Sequence, residues 1–139
     1  MATESEQAKF DELCFYTLAH RDPSFIHQLA VDAYAAQNAR ESEKPIRLTF
    51  ALIGLYLHME KQYSGRDVQR AHMQLAKTRR PWPRFQLPEQ RGSVRVSDIL
   101  AAPPGRERDA SIERWCASVW AAWHDSHDQV RALVGDHLR

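Results

Sequence analysis

An apolar run over residues 48–59, LTFALIGLYLHM, constrains the fold more than any other part of the chain. It contains no charged residue, and a helix that is apolar almost all round has to be covered by neighbours on several sides. The run is also well short of the roughly 20 residues that cross a bilayer, so we expect no membrane insertion. We therefore predict that residues 46–63 form the buried central helix of an all-α protein.

The rest of the chain divides into helical segments and one proline-rich connection. Apolar residues recur at helical spacing over residues 23–38 and 107–138, which predicts an amphipathic second helix and a long last helix in which Trp123 is buried. Three prolines and a glycine exclude a helix between residues 79 and 95, a segment called the strap below. Residues 1–139 are thus expected to form a single-domain bundle of four main helices plus a short helix, with the strap as an extended connection before the last helix.

The charge balance argues against nucleic acid as a partner. The net charge of +1 over 139 residues creates no global field that attracts a polyanion or an anionic membrane. The strap does carry arginines beside Trp82 and Phe85, and aromatic rings between arginines can stack on single-stranded bases. Its prolines prevent a helix that could read a groove, so we expect a packed strap with solvated arginines. These arginines are Arg79, Arg80, Arg84, Arg91 and Arg95.

Several features favour the cytoplasm. The first ten residues, MATESEQAKF, are polar and acidic, unlike a secretory signal. Cys14 and Cys116 fall on apolar helix faces, so we expect free thiols in a reducing compartment rather than a disulfide. A cytoplasmic protein is the resulting expectation.

Residues 22–37, DPSFIHQLAVDAYAAQ, resemble the signature of an uncharacterised bacterial family, a domain of unknown function with the core HQLxVDxYxxQ. The resemblance continues through the central helix, the strap and residues 115–131, so it spans most of the chain. It implies a shared fold and no assigned activity. Members of that family often begin with a paired-cysteine segment that looks like a small metal ribbon, which this chain lacks. They also tend to place a histidine where Ala51 stands.

Helical projection places four histidines on or beside inward faces, namely His27, His58, His72 and His127. Imidazole suits zinc, nickel or iron, and metal sites in helical bundles draw their ligands from facing helices. His27 and His127, with His58 as a third candidate, would form a divalent-metal site with a hydrolytic or sensory role. The alternative is that each histidine is bonded to a backbone carbonyl or a tyrosine, because no HExxH motif is present.

A second set of candidate polar residues consists of Asp32, Tyr34, Gln37 and His72. Projection turns Asp32 away from the apolar face of its helix and towards Gln28, so we expect a solvated carboxylate that does not pair with His27. On the central helix, Ala51 and Gly54 are small enough to let a neighbour approach closely or to leave a hollow.

These patterns identify no reaction. The function that we expect is that of a binding or self-associating module without catalysis, and the alternative is the metal site described above. Enzymatic activity, the partner and the formation of homo-oligomers are left open by the sequence, and no cofactor other than the divalent metal is suggested.

Overall fold

The computed structural model describes residues 4–78 and 81–138, and within them the chain forms seven α-helices and no strand. The helices are α1 (Glu4–Ala19), α2 (Ile26–Gln37), α3 (Pro45–Lys61), α4 (Gly65–Leu75), α5 (Val96–Ala101), α6 (Arg106–Ala122) and α7 (His127–His137). The all-α prediction is confirmed. None of the helices in these two ranges has the length and apolar character needed to cross a bilayer. Arg79 and Arg80 of the strap lie outside the described residues.

The apolar run forms the buried helix α3. Every residue from 51 to 57 is buried, with Ile53 at 0% and Leu57 at 2% exposure. Helices α2, α4, α6 and α7 all contact α3, which explains why no face of this stretch could be polar. The prediction of a central apolar helix is therefore confirmed.

Helix α2 is as enclosed as α3. It contacts α1, α3, α4 and α6, so that its outer as well as its inner side is covered. Ala30, Ala33 and Ala36 are fully buried, and their small side chains let the neighbouring helices approach closely. On the face of α2 that projection assigned to solvent, Asp32 is buried and Gln28 is partly buried.

The prediction of one long last helix is wrong, because the helix is interrupted around Trp123. A 3₁₀ turn over His124–Ser126 separates α6 from α7. There the amides of Trp123 and Ser126 bond to carbonyls three residues back, at 3.1 and 2.9 Å, in place of the usual four. The interruption lets α7 pack against α3. The prediction that Trp123 is buried is confirmed, since its exposure is 1%.

The described part of the strap contains no helix and is tied to the bundle by Gln37. The side-chain amide of Gln37 donates to the backbone carbonyls of Val94, at 2.7 Å, and Arg91, at 3.2 Å. Its carbonyl oxygen accepts from the indole nitrogen of Trp115 at 3.0 Å. Phe85 is buried at 7% exposure, which fixes the middle of the strap.

Candidate functional site

Three side chains in the described part of the chain have a buried polar atom without a hydrogen-bond partner, namely Asp32 on α2, Asn38 and Trp123, and of these only Asp32 carries a carboxylate. Asp32 is only 3% exposed, so the expectation of a solvated carboxylate is wrong. Its Oδ1 accepts a hydrogen bond from Nε2 of Gln28, one helical turn earlier, at 3.1 Å. Its Oδ2 is buried and has no hydrogen-bond partner among the described residues. Buried polar atoms are nearly always bonded, so this oxygen calls for an explanation.

Gly54 on α3 makes the position of this carboxylate possible. A Cβ atom built at Gly54 would lie 2.0 Å from Oδ2 of Asp32 and 3.0 Å from Cγ1 of Val68. The absence of a side chain there gives Asp32 room between α2 and α3. The sequence predicts that Gly54 lets a neighbour approach closely, and in the structure that neighbour is Asp32.

His72 on α4 completes the group. Its Nε2 lies 2.7 Å from the backbone carbonyl oxygen of Phe50, so Nε2–H donates there. Its Nδ1 then accepts from Nε2 of Gln28, at 3.3 Å, in the neutral imidazole. The Gln28 amide thus bridges Asp32 and His72 with its two hydrogens, and Nε2 of His72 is 3.9 Å from Oδ2 of Asp32.

Burial disfavours charge on both ionisable groups. Desolvation raises the pKa of Asp32 well above its ordinary value of 3.8, although the hydrogen bond from Gln28 acts in the opposite direction. Desolvation also lowers the pKa of His72 below 6.5, against the effect of its bond to the Phe50 carbonyl. The site therefore holds a neutral imidazole beside a carboxyl group that retains its proton to an unusually high pH.

A cavity of about 380 Å³ adjoins this group and is called the Asp32 cavity. Its polar lining consists of Gln28, Asp32, Tyr34, Arg47 and His72, and its apolar lining of Phe10, Val31, Ala35, Ile46, Phe50 and Ala51. The lining residues come from α1, α2, α3 and α4. A volume of this size lies within the range of small-molecule sites, about 300–1,000 Å³.

Aromatic rings form part of the wall of the Asp32 cavity. Phe10 and Tyr34 are stacked with ring centroids 3.8 Å apart, and the Tyr34 hydroxyl donates to Oε1 of Gln7 at 3.3 Å. The Phe50 ring is stacked on the His72 imidazole with centroids 5.3 Å apart. The cavity thus combines a buried acid with aromatic faces.

The structure brings together three of the four residues in the second predicted set. Asp32, Tyr34 and His72 line one cavity, whereas Gln37 holds the strap. Gln28 belongs to the site and was missed as a candidate. Its spacing of four residues from Asp32 on the same helix is the signal that would have identified it.

The three histidines of the predicted metal site have different bonding partners. Nδ1 of His27 donates to the Thr17 hydroxyl at 2.8 Å, and this hydroxyl donates in turn to the Cys14 carbonyl at 3.1 Å. His127 stacks on Trp120 and donates to its backbone carbonyl at 2.7 Å. His58 bonds to the Tyr63 carbonyl and to Glu113. No group of three or more metal-ligating side chains occurs within residues 4–78 and 81–138. Metal binding stays a prediction.

Comparison with known proteins identifies a family to which no activity is assigned. A family model described as "Family of unknown function (DUF5946)" matches residues 4–124. The chain belongs to this family. The match includes every residue that lines the Asp32 cavity and ends before α7. No curated protein and no solved structure shows detectable similarity to the chain.

Proposed function

We propose that this protein binds a small organic cation in the Asp32 cavity, with the Asp32 carboxylate as the group that receives the positive charge. The observation that carries the proposal is the buried Oδ2 atom without a hydrogen-bond partner among the described residues. An ammonium group of a ligand would donate a hydrogen bond to Oδ2 and would provide the counter-charge that the ionised form of Asp32 requires.

The cost of keeping Asp32 supports a role beyond packing. Leaving a buried polar atom unsatisfied destabilises a fold by about 1–3 kcal/mol, and more for a charged group. A hydrocarbon side chain at this position would avoid that cost. The chain nevertheless keeps a carboxylate at position 32 and leaves room for it with a glycine at position 54. A destabilising buried carboxylate together with a glycine that makes room for it is expected where the carboxylate is needed for binding.

The lining of the cavity supports a ligand with an apolar body. Six of its eleven lining residues are apolar, and they include Phe10 and Phe50. The faces of aromatic rings attract cations by about 0.5–2 kcal/mol, so the rings and the carboxylate favour the same ligand charge. The Arg47 guanidinium also lines the cavity, and its charge is paired with the Glu43 carboxylate at 3.3 Å. A protonated amine attached to an aromatic or branched aliphatic group fits these properties.

Isothermal titration calorimetry with phenethylamine as the probe tests the proposal. The neutral analogue 3-phenylpropanol and the anion 3-phenylpropanoate have a similar body without the positive charge. We expect wild type to bind phenethylamine and to bind either analogue at least about tenfold more weakly, since a charge-assisted bond is lost.

Two variants locate the binding. Asp32→Asn keeps the shape and the acceptor for Gln28 but removes the negative charge, so it should weaken phenethylamine binding by roughly tenfold or more. Asp136→Asn, on the exposed part of α7, removes the same charge elsewhere and should bind like wild type. Equal affinity in wild type and Asp32→Asn, or no binding of phenethylamine, would overturn the proposal.

Self-association of the module stays a prediction. Phe15 and Leu18 on α1 are 77% and 53% exposed, and their spacing of three residues places them on one face of the helix. Light scattering at high protein concentration tests it. A dimer mass that falls to the monomer mass in Phe15→Ser would support self-association through α1, and a monomer mass for wild type at all concentrations would exclude it.

The metal alternative also keeps its test. Elemental analysis of protein purified without chelators, followed by titration with zinc, nickel and iron, measures any bound metal. Binding that is lost in His27→Ala and His127→Ala would support the predicted site. Absence of metal from the purified protein and from the titrated protein would remove it.

A further inference from the structure

A second cavity, of about 390 Å³, lies where the loop between α2 and α3 meets the strap. We call it the basic cavity, because Arg40, Lys44, Arg47 and Arg84 all line it. Two acidic residues, Glu41 and Glu43, also line it, so the basic residues are in excess. The whole chain has a net charge of only +1, and this excess is therefore a local feature.

One of the two acidic residues of the basic cavity, Glu43, is partly neutralised. The carboxylate of Glu43 accepts from the backbone amide of Arg40 at 2.8 Å and lies 3.3 Å from the Arg47 guanidinium. Arg84 donates to the backbone carbonyl of Glu41 at 3.2 Å, which holds its guanidinium beside the loop. Within the described residues, the side chains of Arg40 and Lys44 make no hydrogen bond or ion pair. Two cations are thus available to a ligand.

The N-terminal end of α3 adds positive potential to the basic cavity. Its first turn contains no acidic residue, and Lys44 at its N-cap makes no side-chain capping bond. The positive end of the helix dipole adds to the field of the four basic side chains. The cations remain the larger contribution, since each carries a full charge.

The floor of the basic cavity is apolar. Ala39 and Phe85 line it and are buried at 6% and 7% exposure, and Leu48 and Leu87 also contribute. A ligand that fits both the floor and the rim has an apolar body and an anionic group. Inorganic phosphate would contact only the rim.

We propose that the basic cavity binds a small organic anion, a carboxylate or a phosphate monoester carried on a compact apolar group. The site is separate from that of the proposed function and takes a ligand of opposite charge. Arg47 lines both cavities, so it is left unchanged in the test.

Isothermal titration calorimetry with phenyl phosphate and with benzoate tests this inference, and the two probes distinguish the phosphate from the carboxylate. Inorganic phosphate and phenol provide the charge alone and the ring alone. We expect phenyl phosphate, benzoate or both to bind wild type at least about tenfold more tightly than either fragment, because only they use the rim and the floor together.

The variant R40Q/K44Q removes the two available cations and keeps most of each side chain. It should weaken binding of the tighter probe by roughly tenfold or more, since two charge-assisted contacts are lost. The control R70Q/K77Q removes one arginine and one lysine from another exposed surface and should bind like wild type.

Equal weakening in R40Q/K44Q and R70Q/K77Q would indicate net charge alone and would overturn the inference. So would binding of inorganic phosphate as tight as that of phenyl phosphate, or the failure of both organic probes to bind.

Discussion

Gly54 and Asp32 lie so close together that a Cβ atom on Gly54 would be 2.0 Å from Oδ2 of Asp32. This contact between α2 and α3 fixes the position of the buried carboxylate. It also explains how a chain can hold an acidic residue in the middle of an apolar core. Two of the predictions below follow from it.

Gly54→Ala should destabilise the fold even though alanine favours helix. The added methyl group collides with the Asp32 carboxylate, and overpacking of this kind costs about 1–3 kcal/mol. Urea unfolding measures the change. Gly135→Ala on α7 is the control, because nothing lies within 4 Å of its added Cβ. It should leave stability unchanged or raise it by up to about 1 kcal/mol. A Gly54→Ala variant as stable as wild type would show that Asp32 can move away from α3.

The free energy of unfolding should fall with rising pH because of Asp32. The pKa of Asp32 is raised in the folded state, so the folded protein binds the proton more tightly than the unfolded chain. The contribution of Asp32 to the stability of the folded protein is greatest below its pKa in the unfolded chain, near 3.8. It falls as the pH rises from there to the pKa of Asp32 in the folded protein. Within that window this residue contributes a slope of at most about 1.4 kcal/mol per pH unit.

Asp32→Asn should remove that slope. Urea unfolding of both proteins across the acidic and neutral range measures the difference. We expect the variant to gain stability relative to wild type as the pH rises above about 4, since the penalty of ionising a buried carboxyl group is absent. A difference in stability that does not change with pH would mean that the carboxyl group ionises as easily in the folded as in the unfolded state.

His58 should titrate at a higher pH than an ordinary histidine. Burial lowers its pKa, but hydrogen bonds to Glu113 and to the Tyr63 carbonyl outweigh this effect and raise the pKa above 6.5. Both ring nitrogens donate, which requires the charged imidazolium. The stabilisation of the fold by charged His58 is complete below about pH 6.5. It is lost as the pH rises through the pKa of His58 in the folded protein.

Glu113→Gln should lower the pKa of His58, which nuclear magnetic resonance titration of its ring protons would measure. Glu107→Gln, in the exposed first turn of α6, is the control and should leave it unchanged. If His58 titrates identically in Glu113→Gln and wild type, the ion pair between α3 and α6 does not form in solution.

Trp123→Ala should destabilise the fold by about 3–5 kcal/mol, the usual cost of removing a large buried aromatic side chain. Trp123 is 1% exposed, and the Arg91 guanidinium lies 5.3 Å from its ring centroid. Met73→Ala, at a position that is 64% exposed, should change stability by less than about 0.5 kcal/mol. Similar unfolding midpoints for the two variants would contradict the packing at the α6–α7 break.

The sequence predicted the apolar framework because its signal is local. The uncharged run over residues 48–59 can be read without knowing its neighbours, and the burial of Trp123 follows from the period of its own helix. The interruption after α6 was not predicted, since the same apolar period continues through both helices. The break is seen in the hydrogen bonds of Trp123 and Ser126, and the hydrophobic pattern gives no sign of it.

The candidate site could be predicted only in part. Projection correctly placed Asp32 beside Gln28, because both lie on one helix. It could not show that α4 covers this face of α2, since that depends on tertiary packing. For the same reason, the approach of His72 and Phe50 to Asp32 required the structure.

The number of protons released on binding phenethylamine tests the role of Asp32 most directly. In weakly buffered solution, at a pH above 3.8 and below the pKa of Asp32 in the folded protein, the buried carboxyl group keeps its proton while the free amine is charged, so formation of the ion pair has to expel the Asp32 proton. A pH-stat titration should record about one proton released per amine bound in wild type and none in Asp32→Asn. Binding without proton release, or the same release from both proteins, would contradict the assignment of Asp32 as the group that receives the ligand's charge.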